Sequence, residues 1–171
     1  AFAVQVGAKI RTIPTSSEDG FALPKVEKFE EMINERTKAI MICNPNNPTG
    51  YVYTQEEMNQ IRDLVKKYDL FLFSDEVYRE YIYTNSPFVS AMNLEGIQEN
   101  VILIDSVSKR YSECGIRIGA LITKNETVKK TVMKFCQARL SPPLIGQIVA
   151  EASLEAPKEY FRGIFDEYLE R

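Results

Sequence analysis

The chain contains no histidine and no tryptophan. Without histidine, His-ligated metal sites and Ser-His-Asp or Cys-His nucleophile chemistry are excluded within these residues. Acid-base work must fall to Lys, Tyr, Asp or Glu. Cysteine is scarce as well: Cys43, Cys114 and Cys136 are an odd number with no CxxC pairing, so neither a disulfide framework nor a zinc knuckle is expected. Free thiols of this kind fit a reducing cytoplasm. No apolar run approaches the roughly 20 residues of a membrane helix. A net charge of -3, with Lys and Arg spread along the chain, leaves no basic footprint for nucleic acid or an anionic membrane. A small-molecule partner is the expectation.

What is present is an ordinary globular composition, 44% hydrophobic and 26% charged over 171 residues. The chain opens at Ala1 without an initiator Met. It closes at Arg171 inside an apolar helical stripe (Tyr160, Phe161, Ile164, Phe165, Tyr168, Leu169) with neither a Gly cap nor a Pro stop. It is therefore expected to be a piece of a longer protein.

Short apolar runs alternate with amphipathic helical patterns. AKIRTIP at 8–14 reads as a strand, and Pro24 opens a helix with Val26, Phe29, Met32 and Ile33 on one face. AIMIC (39–43), LFLFS (70–74) and VILID (101–105) read as strands covered on both faces, and RIGALIT (117–123) as a fifth strand. Thr54 and Glu57 have capping-box spacing ahead of a helix that carries Met58, Ile61, Leu64 and Val65 inward. Three further helices are expected near 126–138, 142–154 and 157–171. Strands alternating with helices imply an α/β class with a mostly parallel sheet.

Three polar clusters each follow a buried strand: NPNNPTG (Asn44–Gly50), SDEVY (Ser74–Tyr78) and SVSK (Ser106–Lys109). In a parallel sheet the carboxyl ends of the strands share one edge, where ligands of open α/β sheets bind, so clusters about 30 residues apart can converge there. Arg117 follows Lys109 by eight residues, a second cation at the same edge. Taken singly, each cluster has an ordinary explanation. Lysines are mostly surface residues, an Asp after a strand commonly caps a turn, a Tyr beside an apolar stretch is usually core, and NPTG alone makes a turn.

Together, these motifs, their order and the Lys-to-Arg interval resemble the cofactor-binding large domain of class I/II aminotransferases. These are the aspartate aminotransferase-like, pyridoxal-phosphate-dependent enzymes of fold type I. The resemblance runs from AKIRTIP to the final helix. It implies a three-layer αβα sandwich, to whose mostly parallel sheet this chain would supply about five strands. Residues 1–171 would be a partial large domain, with an N-terminal segment and a C-terminal small domain lying outside them.

Carried over residue by residue, the resemblance makes Lys109 the catalytic lysine, holding the cofactor aldehyde as a Schiff base and later shuttling a proton. A lysine amine becomes nucleophilic when burial or neighbouring cations favour its neutral form. Arg117 would pair phosphate oxygens with its planar fork, alongside the Ser106 and Ser108 hydroxyls. Strand-end turn chemistry serves equally well for Ser108. Asp75 would keep the pyridine nitrogen protonated, and Tyr78 and Asn47 would bind the phenolic oxygen. Glu113, between Lys109 and Arg117, is expected to face solvent; pointing inward, it would weaken phosphate binding. Cys43 reads as a small buried hydrophobe.

The implied activity is transfer of an α-amino group between an amino acid and a 2-oxo acid by a dimeric enzyme using pyridoxal 5'-phosphate. A lyase or synthase on the same cradle, or a non-catalytic regulatory module that binds the cofactor, is compatible with the same residues.

Overall fold

The computed structural model describes residues 2–171. It divides into two units, Ala1–Thr37 and Lys38–Arg171. The first holds α1 (Phe2–Gln5) and α2 (Val26–Met32). Pro24 stands just ahead of the second of these helices, and Ile33 is already extended. The expected strand at 8–14 does not form. A strand exists only by pairing its N–H and C=O groups. These residues find no ladder partner among the described residues, and Ile10 is 56% exposed.

The second unit runs β1 (Ala39–Cys43), α3 (Gln55–Tyr68), β2 (Phe71–Asp75), β3 (Val101–Ser106), α4 (Val107–Arg110), β4 (Gly119–Ile122), α5 (Glu126–Arg139), α6 (Leu144–Ala152) and α7 (Lys158–Glu170). The class is α/β, as expected, but the sheet has four strands in the order β1-β2-β3-β4. The first three are parallel, and β4 returns antiparallel to β3. A parallel return needs a long crossover, and between β3 and β4 the chain has only α4 and a 3-10 turn at Cys114–Ile116. The connection from β2 to β3 also departs from strict alternation, since its helical content is one 3-10 turn, Ala91–Asn93.

Helix α3 shows why the local sequence folds as it does. Thr54 Oγ1 accepts from Glu57 N at 3.2 Å, and Glu57 Oε2 accepts from Thr54 N at 2.8 Å, so both halves of the capping box are closed. Asp69 ends the helix in the left-handed conformation. Its apolar stripe, Met58, Ile61, Leu64 and Val65, is wholly buried. One row across the sheet is buried with it: Ile42, Ser74 and Leu103 in register, and Leu72 beside Val101. Val89, Ala91, Leu94 and Ile97 complete this core.

Cover on the two faces is unequal: β3 is closed on both, with Val101, Ile102 and Leu103 all buried, whereas β1 and β2 are closed on the Ile42 and Ser74 side. On the opposite face Met41 is 69% exposed, and Phe73, its partner in β2, is only half-buried. Alternate residues of a strand face opposite sides, so in β1 and β2 a continuous apolar run meets a core on one side and a more open face on the other among the described residues, a face that closes at Ile102 of β3. No described helix is long and apolar enough to cross a membrane.

This asymmetry orders the cost of truncation. Leu72→Ala, at a fully buried position, is expected to lower unfolding free energy by about 3 kcal/mol and Thr54→Ala by about 1 kcal/mol, whereas exposed Met41→Ala costs under about 1 kcal/mol. Urea unfolding of the three variants checks the ranking. Equal losses at Leu72 and Met41 would contradict the one-sided core.

Candidate functional site

The NPNNPTG turn is built by its first two asparagines so that the third is left free to reach outward. Asn44 is fully buried; its Nδ2 donates to the Val89 carbonyl (3.2 Å) and its Oδ1 accepts from Tyr53 N (3.0 Å). Asn46 Oδ1 accepts from the Thr49 hydroxyl at 2.8 Å, and the Asn46 carbonyl takes Gly50 N at 2.9 Å. Gly50 turns the chain at φ 74°, in the left-handed region that glycine enters without strain. The Asn44–Pro45 and Asn47–Pro48 peptide bonds are cis.

Asn47 Nδ2 donates to Tyr78 Oη at 2.9 Å, and Lys109 Nζ lies 5.5 Å from the Tyr78 ring centroid. Residues from the carboxyl ends of three neighbouring strands therefore meet at one point. Asp75, the last residue of β2, sits between Cys43 and Ile104 in register. Its Oδ1 accepts from Val77 N at 3.3 Å, a turn-capping bond, and among the described residues it forms no ion pair.

Ser106 ends β3 and caps α4. Its Oγ accepts from Ser108 N (3.1 Å), donates to the Ile118 carbonyl (2.9 Å) and lies 2.7 Å from Ser108 Oγ. The two hydroxyls are adjacent, and Ser106 ties α4 to the segment that enters β4. Arg117 precedes that segment rather than opening the strand. It is exposed, at φ 58°, with Nη1 donating to the Cys114 carbonyl at 2.7 Å. Asn47 and Lys109 thus both meet Tyr78, and Ser106 meets Ser108, while the Arg117 guanidinium turns back to the Cys114 carbonyl and is not brought onto either serine.

Two expectations about neighbouring residues resolve differently. Glu113 does not face solvent: it is half-buried and accepts a hydrogen bond from the Ser153 hydroxyl, because α6 places Ser153 over it. Cys43 is part-buried, its thiol directed to the Pro45 carbonyl at 3.4 Å. Burial above all, reinforced by the Asp75 carboxylate, pushes that thiol above its ordinary value, which disfavours the reactive thiolate.

The structure adds groups that motif reading did not single out. Arg79 Nη1 pairs with Asp105 at 2.8 Å, linking the loop after β2 to β3, and Arg110 pairs with Glu80 at 3.3 Å. Glu76 is buried, accepting from Ala91 N at 2.8 Å and from the Ser74 hydroxyl at 3.0 Å. A signal for it was available. Leu72, Ser74 and Glu76 follow one period-2 row, so the alternation of the strand carries on to place Glu76 inward while Asp75 turns to the other side.

A class of protein is defined by this arrangement: an α/β fold that gathers an amine, a phenol and an amide at the carboxyl edge of a parallel sheet. The chain belongs to the aminotransferase class I and II family, whose profile matches residues 3–170. It is 33% identical over 134 residues to the aspartate aminotransferase of Bacillus subtilis, covering 78% of this chain and 34% of that protein. It is 34% identical over 129 residues to aromatic-amino-acid aminotransferase 2 of Thermococcus litoralis, covering 75% of this chain and 33% of that one. The crystal structure of the aspartate aminotransferase from Thermotoga maritima superposes with a TM-score of 0.86 at 27% identity, over 95% of this chain and 43% of that chain. The chain spans little more than a third of the length of curated relatives, 36% and 37% in two of them.

Burial dominates the Glu76 carboxyl and raises its pKa, against the lowering effects of Ala91 N, Ser90, Ser74 and Arg79. The folded state therefore holds this proton to higher pH than the unfolded chain. The resulting stabilisation is complete below the ordinary carboxylate range and is lost as pH rises through the raised value. Glu76→Gln removes this dependence. Its stability relative to the parent is expected to climb across that window in urea midpoints taken from pH 4 to pH 8. A flat difference would show that the hydrogen bonds to Glu76 offset its burial.

Proposed function

We propose that this chain holds pyridoxal 5'-phosphate and that the protein containing it transfers an α-amino group between an amino acid and a 2-oxo acid. The observation that carries the reading is the meeting of Asn47, Tyr78 and Lys109 from three strand ends. The donor set suits the cofactor group by group. Two neutral donors 2.9 Å apart can share a phenolic oxygen, a primary amine stands beside them, an aspartate without a cation partner suits a ring nitrogen, and adjacent hydroxyls with a guanidinium suit a phosphate.

When bound, the cofactor supplies an electron sink for the pair released as a substrate Cα proton leaves. The residues here do the rest. Lys109 would hold the cofactor through its Nζ, and the same amine would be the base that moves the Cα proton. The Asp75 carboxylate keeps a proton on the ring nitrogen, while Asn47 Nδ2 and Tyr78 Oη donate to the phenolic oxygen and orient the ring. Ser106 and Ser108 hold the phosphate. Arg117, whose guanidinium bonds the Cys114 carbonyl, would be the cation that pairs with the phosphate.

Residues 1–171 form, on this reading, the cofactor-binding part of a large domain, with groups that grip the substrate α-carboxylate supplied by sequence outside them. The protein acts as a homodimer in the cytoplasm, where Cys43, Cys114 and Cys136 remain free. Relatives named for aspartate and for aromatic amino acids match at 33% and 34% identity, so the substrate is given as a class.

The test is to load the full-length protein with pyridoxal phosphate, reduce it with borohydride and map the modified peptide by mass spectrometry. One stoichiometric adduct on Lys109, absent in Lys109→Ala, is expected. In the loaded protein before reduction, an added amino acid should be converted to its 2-oxo acid when a second 2-oxo acid is supplied to accept the amino group, without release of ammonia. Label scattered over surface lysines would overturn the assignment of Lys109, and ammonia release would point to a lyase.

A further inference from the structure

The helix that carries Lys109 is too short to place itself. Helix α4 has four residues, and a single turn is below the length at which helix propagation offsets nucleation. Ser106 caps its start. Its other end leaves carbonyls that need donors from elsewhere. Two phenols supply them. Tyr81 Oη donates to the Lys109 carbonyl at 2.6 Å, a shorter bond than the 3.3 Å turn contact to the same oxygen from Ser112 N. Tyr160 Oη, in the first turn of α7, donates to the Tyr111 carbonyl at 2.9 Å.

Neither phenol stands alone. The Tyr81 ring meets Tyr168 of α7 edge-on, with centroids 5.6 Å apart and planes at 86°. Tyr111 meets Phe161 at 5.6 Å, and Tyr83 meets Phe165 at 5.2 Å. The Arg110 guanidinium lies over the Tyr111 ring at 5.5 Å and the Phe161 ring at 5.8 Å while paired with Glu80. Phe161, Phe165 and Tyr168 fall at i, i+4 and i+7, one stripe of α7, and that stripe meets Tyr111, two residues past Lys109, and Tyr81 and Tyr83 of the loop after β2.

We propose that Tyr81 and Tyr160 are positioning residues that fix the Lys109 amine through the backbone of α4 and anchor it to α7. Neither hydroxyl needs to touch substrate or cofactor. Burial, with the nearby Tyr168, Tyr83 and Tyr160 phenols and Glu80, raises the Tyr81 hydroxyl above its ordinary pKa, so the donor keeps its proton at neutral pH. Small misplacement of a reacting group lowers rate far more than it lowers binding, which is where loss of these bonds should register.

The inference rests on Lys109 being the reactive amine, and the experiment separates the two. Tyr81→Phe and Tyr160→Phe, each keeping its ring and losing only its hydroxyl, are compared with the parent full-length protein. Amide exchange is read by mass spectrometry on the cofactor-free protein, and kcat and KM on the loaded one. Each variant is expected to speed exchange in the peptide covering 107–112 by about threefold to tenfold, the loss of one hydrogen bond, while the β1 and β2 peptides are unchanged. kcat should fall about tenfold with KM for the amino acid within about twofold, and the double variant should fall further than either. Unchanged exchange at 107–112, or faster exchange with unchanged kcat, would overturn the positioning role. So would faster exchange spread evenly over the chain, the mark of a general loss of stability. Absence of a Lys109 adduct in the parent protein would defeat the functional reading instead, whatever the exchange data show.

Discussion

Parallel pairing of β1, β2 and β3, with Cys43 beside Asp75 and Asp75 beside Ile104, makes three separated stretches of chain leave the sheet along one edge. Were β2 to pair in the opposite sense, its polar cluster would emerge at the far end of the sheet, and Tyr78 could meet neither Asn47 nor Lys109. The backbone ladder, rather than any contact among the functional side chains, is therefore the constraint on which the site depends. The antiparallel return of β4 is compatible with it, because the start of that strand lies at the same edge. Ser106 pairs with Gly119 there, and an added Cβ at Gly119 would come within 3.0 Å of the Asp105 carbonyl.

Around that edge, polar groups divide between those that hold the loops and those that remain available. Asn44, Asn46, Ser74 and Glu76 spend their hydrogen bonds on backbone, on the Thr49 hydroxyl or on one another. Unsatisfied buried polar groups are costly, so such closed sets fix the loop geometry. Asn47 and Lys109 stay exposed, and Asp75 has no cation partner among the described residues. Arg79 and Asp105 join the loop after β2 to the strand that leads to Lys109. The short α4 depends on neighbours for its placement, and its aromatic seam with α7 brings a distant part of the chain to the sheet edge beside Lys109.

Much of this was legible beforehand. The apolar runs at 39–43, 70–74 and 101–105, the capping box at Thr54 and Glu57, and the three C-terminal helices are local signals: burial periodicity and cap chemistry act within a few residues. The convergence of NPNNPTG, SDEVY and SVSK followed from a parallel sheet. The misreadings have one origin. Among the described residues AKIRTIP has strand composition but no partner to pair with, and the outer face of β1 has apolar residues without a covering layer. Glu113 has a hydrophilic side chain that α6 happens to reach. None of these outcomes is a property of the local segment.

The sequence by itself determined the type of most elements of the second unit, the residue chemistry available and the lack of histidine within these residues, because those depend on composition and short-range spacing. Tertiary structure decided the rest. It separated the three asparagines of one turn into two that build and one that reaches out, buried Glu76, turned Arg117 toward a carbonyl, and set two tyrosines from separate segments onto the backbone around Lys109. The physical reason is that hydrogen bonding and burial depend on which groups meet in space. Groups 28 and 49 residues apart, such as Tyr81 with Lys109 and Tyr160 with Tyr111, meet only once the sheet and α7 are in place.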